Sequence, residues 1–129
     1  MTQEEMKART KQFALRILKL VRSLPPNLVT ETIGKQLLRS GTSVGANYRA
    51  SCRAKSSADF INKLAIVEEE ADESIYWMEL LIEAQIVKEN LLKNLIDEGN
   101  QILSIVVSTI RTAKEKRNPQ SQIPNPKSL

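Results

Sequence analysis

The chain has 129 residues, enough for one domain with a substantial core but not for two. Two Phe, two Tyr and one Trp leave that core to aliphatic side chains, and four Gly with five Pro favour helices over a turn-rich sheet. One cysteine, Cys52, excludes an internal disulfide, and the lack of any histidine removes most zinc and haem arrangements; the net charge of +4 conceals a strong asymmetry along the chain.

The opening "MTQEEMKART" is charged and lacks the apolar run of a signal peptide, and the longest apolar stretch, "ILSIVVSTI", is about half a membrane span. A soluble cytoplasmic protein without a membrane partner is expected. Met6, Phe13, Ile17, Leu20 and Leu24 recur at the period of one helix face, which predicts a first helix near 3–23. It stops at "LPPN", because Pro25 and Pro26 cannot continue it. Asn27 or Thr30 can cap a second helix.

The next segment contains "RSGTSVGANYRASCRAKSS", residues 39–57, which holds two of the four glycines and reads by propensity as a loop. Its phase argues otherwise. At ~100° per residue, Ile33, Leu37, Val44 and Tyr48 share an arc of about 60°, and Gly34, Gly41, Gly45 and Cys52 form a neighbouring line about 40° wide. A line of missing side chains lets another helix approach closely. The expectation is one helix over 28–54, roughly 40 Å long, with a helix-loop-helix as the alternative.

Phe60, Leu64, Val67, Ala71, Ile75, Met78 and Ile82 mark a third helix near 57–86, capped by Ser56 or Ser57. Leu92, Leu95, Gly99, Ile102, Val106, Ile110 and Ala113 mark a fourth near 89–117. The tail, 118–129, is rich in proline and poor in apolar residues, and is expected to be disordered. Four helices with short connections predict an all-α, antiparallel up-down-up-down bundle as a single domain over 1–117. A three-helix core with a mobile first helix is the alternative.

Charge is distributed unevenly over these elements. Residues 1–24 carry six basic and two acidic groups and residues 25–55 five and one, whereas residues 56–86 carry one basic and eight acidic. On the second helix Lys35, Arg39, Arg49 and Arg53 occupy an arc of about 80° opposite the apolar stripe, and Arg16 and Lys19 add charge on the first. Such clustering can neutralise RNA or DNA phosphates and release counterions. The same arginines could instead pair with the acidic third helix, Arg39 with Glu69 or Glu70 in particular.

That third helix has more apolar surface than one core uses. Ile66, Tyr76, Trp77, Leu80 and Ala84 form a second arc nearly opposite the first, with Glu69, Glu70 and Glu73 on or beside it. A helix apolar on two sides is usually buried on both, which predicts a homo-oligomer whose interface includes Ile66, Glu69, Glu73, Tyr76, Trp77 and Leu80. In the alternative, Trp77 and Tyr76 cover the rim of a lone bundle.

Chemistry is sparsely represented. A carboxylate-bridged dimetal site needs Glu-x-x-His motifs, so no metal and no cofactor is expected. Cys52 has no histidine to activate it and lies in the glycine line, where it serves packing. "GTSVG" lacks the Gly-Lys-Ser/Thr ending of a phosphate loop. Ser40 and Ser43 read as small surface or contact groups.

The stretch 37–84, from "LLRSGTSVGANYRAS" into the acidic helix, resembles the bacterial four-helix-bundle family encoded in intervening sequences of 23S ribosomal RNA genes. Arg39, Ser40, Ser43 and Asn47 occupy that family's recognisable pattern. The resemblance implies a homopentamer without established enzymatic activity. Its relatives include the accessory protein of diversity-generating retroelements, which binds nucleic acid and a reverse transcriptase, so both become expected partners. Where many members have Asn-Ile-Ala-Glu-Gly this chain has "NYRAS", 47–51, so any role tied to the missing glutamate is in doubt here. Two functional classes are implied: an RNA-associated, nucleic-acid-binding accessory protein, or a protein-interaction scaffold that never touches nucleic acid.

Overall fold

The computed structural model describes residues 1–117, and the expected tail, 118–129, lies outside the described residues. Four helices succeed one another: α1 (Gln3–Arg22), α2 (Leu28–Ser51), α3 (Ser57–Glu83) and α4 (Glu89–Arg117). Among the described residues there is no strand. Each helix packs on its neighbours in sequence, α4 closes more loosely against α1, and the backbones of the diagonal pairs stay apart. Short turns between successive helices make this an antiparallel bundle.

Capping chemistry fixes where the helices start. Thr2 accepts the amide of Glu5, and Ser56 accepts that of Asp59. At α2 both residues proposed from sequence act together: Asn27 accepts the Thr30 amide while the Thr30 hydroxyl accepts the Asn27 amide, a reciprocal capping box.

Two helices end earlier than their apolar periods suggest. α2 stops at Ser51 rather than 54, where the Ser51 hydroxyl donates to the Tyr48 carbonyl (2.6 Å) and the amides of Arg53 and Ala54 turn to carbonyls three residues back. α3 stops at Glu83 rather than 86, because Gln85 takes a left-handed backbone (φ 60°) and the amides of Ile86 and Val87 fold back onto the Leu81 carbonyl.

The whole of residues 28–51 is one unbroken helix, so the glycines lie in its interior, and their reason is α1. A Cβ on Gly41 would press into Cδ1 of Ile17 and lie 3.0 Å from its Cγ2. One on Gly45 would lie 3.2 Å from the Thr10 carbonyl oxygen. The two backbones therefore approach too closely for side chains at these levels. Gly34 differs, since its Cβ would find ordinary contacts with Val21 and Leu24 at 3.4 and 3.6 Å.

The core is aliphatic with Phe13 and Tyr48 as its aromatic members. The predicted stripe of α2 is buried throughout, as is that of α4 up to Ile110. On α1 Met6, Phe13 and Ile17 are buried and Leu20 is half-buried, as is Leu24 just beyond the helix end. On α3 the buried face is Ile61, Leu64, Val67, Ala71, Ser74, Ile75, Met78 and Leu81, rotated slightly from the predicted line, and Phe60 and Ile82 sit at its edges. The rotation brings Ser74 inward, where its hydroxyl donates to the Glu70 carbonyl (2.8 Å) and accepts from the Ser40 hydroxyl 3.0 Å away. Two small hydroxyls that satisfy each other can be buried at little cost, and they draw α2 and α3 together.

Candidate interaction surfaces

The residues Arg39, Ser40, Ser43 and Asn47 stand in one register along the side of α2 that meets α3. Ser40 bonds Ser74 across the seam, and the Asn47 amide donates to the Ser43 hydroxyl (2.8 Å) and to its carbonyl (2.9 Å). At the outer edge Arg39 straddles two carboxylates of α3, Nη1 to Glu70 at 3.2 Å and Nη2 to Glu73 at 2.5 Å. Glu73 also accepts the indole N–H of Trp77 (3.3 Å). The alternative pairing proposed for Arg39 is thus realised within the chain, with Glu70 and Glu73 as its partners. Sequence reasoning left Ser74 out, because a serine in an apolar stripe gives no signal until its partner is known.

The hydrogen bond from Arg39 holds the Glu73 carboxyl below its usual 4.5, partly offset by burial and helped by the indole; the Arg39 pKa is raised in return, chiefly by that same bond. A carboxyl depressed in the folded state stabilises the fold at neutral pH, and that contribution disappears as pH falls through the folded value. Arg39→Ala should return Glu73 toward 4.5 and flatten the acid limb of the stability profile. A carboxyl titration followed by NMR checks this; an unmoved Glu73 midpoint contradicts it.

The other predicted cations lie elsewhere. Lys35, Arg49, Arg16 and Lys19 are exposed on α1 and α2, and Arg53 is half-way along the α2–α3 turn with its side chain in solvent. None has a carboxylate within salt-bridge distance among the described residues. They do not form one patch: Lys35 and Arg53 are separated by roughly 27 Å along the α2 direction. Lys35 borders a hollow at the α1–α2 turn with Val21, Leu24 and Pro26, whereas Arg49 borders a groove at the other end of the same helix pair.

That groove, of about 610 Å³, is floored by Ala8 and Ala14 of α1 and Thr42, Gly45 and Ala46 of α2, with Lys7, Lys11, Arg49 and Glu4 on its banks. Lys7 already binds Glu4 (2.8 Å). Lys7 and Lys11 were not among the predicted residues, although their spacing of four, the same as that of Gly41 and Gly45, could have placed them on one side of α1. Arg9, by composition one more cation of the basic first segment, binds Glu98 through Nε (2.6 Å) and Nη2 (2.7 Å) and also donates to Gln101. This bidentate pair stitches the loose α1–α4 seam.

On α3, Ile66 is 37% and Tyr76 56% exposed, a large apolar pair on the outer surface. Trp77 and Leu80 are half-buried, each touching the core with one side and solvent with the other. Tyr76 packs edge-on against Trp77, ring centroids 5.0 Å apart. Glu69 is exposed beside them without an ion-pair partner among the described residues. Of the predicted second arc, Ile66 and Tyr76 are exposed, Trp77 and Leu80 also pack on the core, Ala84 lies just past the end of α3, and Glu73 is held by Arg39.

Among the described residues no three His, Cys, Asp or Glu side chains converge to hold a metal, and no helix is long and apolar enough to cross a membrane.

Comparison with known proteins gives a consistent result. The model of the 23S rRNA-intervening sequence protein family matches residues 3–108. A crystal structure of a protein with unknown function from the S23 ribosomal protein family of Bacteroides thetaiotaomicron VPI-5482 is 38% identical, with a TM-score of 0.76 over 86% of this chain and 99% of that one. No curated protein matches.

Proposed function

Since the chain belongs to the 23S rRNA-intervening sequence protein family, we propose that it is a non-enzymatic, self-associating bundle of the cytoplasm that binds nucleic acid through phosphates. One observation carries the reading: Arg16, Lys19, Lys35, Arg49 and Arg53 all reach solvent without a carboxylate partner among the described residues. Three carboxylates are already engaged within the chain, Glu70 and Glu73 by Arg39 and Glu98 by Arg9.

Cations spread over two helices suit a phosphate backbone rather than a base-reading site. The exposed aromatics lie on acidic α3, apart from the cations, so stacking of single-stranded bases has no platform here. Repetition around a ring, five-fold as the family resemblance implies, would turn weak contacts into a multivalent surface. Each phosphate neutralised releases counterions, so affinity should fall steeply between low and moderate salt.

Filter binding of an RNA and a DNA of equal length at about 50 and 200 mM salt tests this. Binding should weaken by an order of magnitude or more across that range, with little dependence on sequence. Lys19→Glu with Arg53→Glu should reduce affinity and lower the salt slope by about one per charge removed. No binding of either polymer at the lower salt ends the proposal.

The scaffold reading keeps one observation of its own, that Arg39 is used on protein carboxylates. In that case the free cations would meet an acidic protein partner, and RNA binding would be absent at every salt concentration.

A further inference from the structure

The seam between α3 and α4 is hollowed near both ends, and the two hollows differ in charge. Near the end of α3, Glu79, Glu83, Glu89 and Asp97 surround Ile82 and Ile96, with Lys93 as the one cation. Near the start of α3 lies a hollow of about 410 Å³, lined by Ser57 and Phe60 and by Ser108, Thr112 and Lys116 of α4, with no carboxylate in its lining. Resting on the nucleic-acid reading proposed above, we infer that this second hollow is a phosphate site, where Lys116 and the three hydroxyls hold one backbone phosphate of an RNA or DNA strand.

The hydroxyls stand apart from their counterparts elsewhere in the bundle. A serine or threonine inside a helix can satisfy its donor on the carbonyl four residues back. Thr10, Thr32, Thr42, Ser74 and Thr109 all do so. Ser108 and Thr112 do not, and the Ser57 hydroxyl likewise bonds nothing among the described residues. Three donors not spent on the fold therefore line one concavity. Phosphate oxygens accept several bonds at once, and half-buried Phe60 keeps water from one side of the hollow, which strengthens each bond made there.

The charge around the hollow has the matching sign. Lys116 has no carboxylate within salt-bridge distance among the described residues, and the same holds for Lys114 and Arg117 beside it on α4 and for Arg53 and Lys55 on the turn entering α3. Asp59 and Glu115 are close in sequence, yet neither lines the hollow, and Asp59 accepts the Lys55 amide (3.2 Å). Asp97, the nearest acid of the other hollow along α4, is roughly 22 Å from Thr112. That is about twice the screening length at 0.1 M salt, so the acidic end does not cancel the basic one. The α1/α2 groove, by contrast, keeps Glu4 among its cations.

A lone phosphate would need only Lys116. Cations on both flanks, Arg53 and Lys55 before α3 and Lys114 and Arg117 at the end of α4, suit a strand that continues past the hollow in either direction.

Three variants of the full chain test the site, each at exposed positions so that the helical signal should match the wild type. Lys116→Ala should weaken RNA binding about fivefold at about 50 mM salt and lower the salt slope by about one. Ser108→Ala with Thr112→Val removes no charge; it should weaken binding about threefold or more while the slope stays that of the wild type, because hydrogen bonds to an anion are lost and no counterion is. Lys93→Ala, in the acidic hollow, should bind as the wild type does. An RNA with a 5′-hydroxyl should bind as tightly as its 5′-phosphorylated form.

A Ser108→Ala/Thr112→Val protein that binds RNA like the wild type overturns the site, as does a Lys93→Ala loss equal to that of Lys116→Ala, which would reduce Lys116 to general surface charge. Binding that requires the 5′-phosphate overturns the assignment to the strand backbone. In each of these cases the wild type still binds, and the broader nucleic-acid reading stands. A wild type that binds neither polymer at the lower salt refutes both.

Discussion

Gly41→Val should destabilise the bundle by about 3 kcal/mol, the upper part of the usual range for overpacking a filled site. The new Cβ meets Ile17 at Cδ1, which could swing aside, but also at Cβ (3.3 Å), which is fixed to the α1 backbone, and at Cγ2 (3.0 Å), which moves only with a χ1 change that a β-branched residue in a helix resists. Relief would require α1 to withdraw from α2, and Phe13 and Met6 are buried on the same helix. Gly34→Ala should have the opposite sign. Its Cβ finds ordinary contacts, so the gain in helix propensity, ~1 kcal/mol, is not offset. Denaturant titration of both variants, with Ile17→Ala as a third, checks the reasoning. Gly41→Val and Ile17→Ala combined should be more stable than the sum of the single effects by about 1 kcal/mol or more, because the valine fills the space the isoleucine leaves. Additive effects would mean that the glycines do not set the helix separation.

Leu80→Lys should convert the assembled protein to monomers without unfolding it. Leu80 is half-buried at the edge of the core, and the aliphatic stem of a lysine can cover that edge while its ammonium stays in water. What changes is the outer side, where a charge would have to be desolvated on contact with a neighbour. The sedimentation coefficient should drop to that of a single chain while the melting transition of the bundle moves little. Unchanged sedimentation would remove the Ile66, Trp77, Leu80 surface from the interface.

The helices and the α2 register were legible because burial imposes a period that sequence must respect. Ile33, Leu37, Val44 and Tyr48 keep phase across a glycine-rich stretch, and only a continuous helix needs them to. Even the purpose of the glycines could be read, since a line of absent side chains has meaning only for a partner helix. The helix ends were less legible. The Ser51 hydroxyl and the left-handed Gln85 stop α2 and α3 through local hydrogen bonds that leave no trace in apolar spacing.

The charged surface was the least legible part. A helical wheel places Lys35, Arg39, Arg49 and Arg53 on one arc but is silent about neighbours. Arg39 is bound to Glu70 and Glu73 and Arg9 to Glu98, while Lys11 and Arg49 come together from two helices. Ion pairs and grooves are properties of two elements at once, and a single-helix projection holds only one. The same reason hid the Ser40–Ser74 bond.

The central claim is that α3 uses both of its apolar sides, one in the core and one against another copy. Sedimentation equilibrium of the unmodified chain, with the fluorescence of its one tryptophan read in the same solution, tests it most directly. The account predicts a discrete species several times 14.5 kDa, with an indole that shifts to the red and becomes open to a soluble quencher when Leu80→Lys splits the assembly. A lone 14.5 kDa chain at micromolar concentration, its indole already accessible, would contradict it.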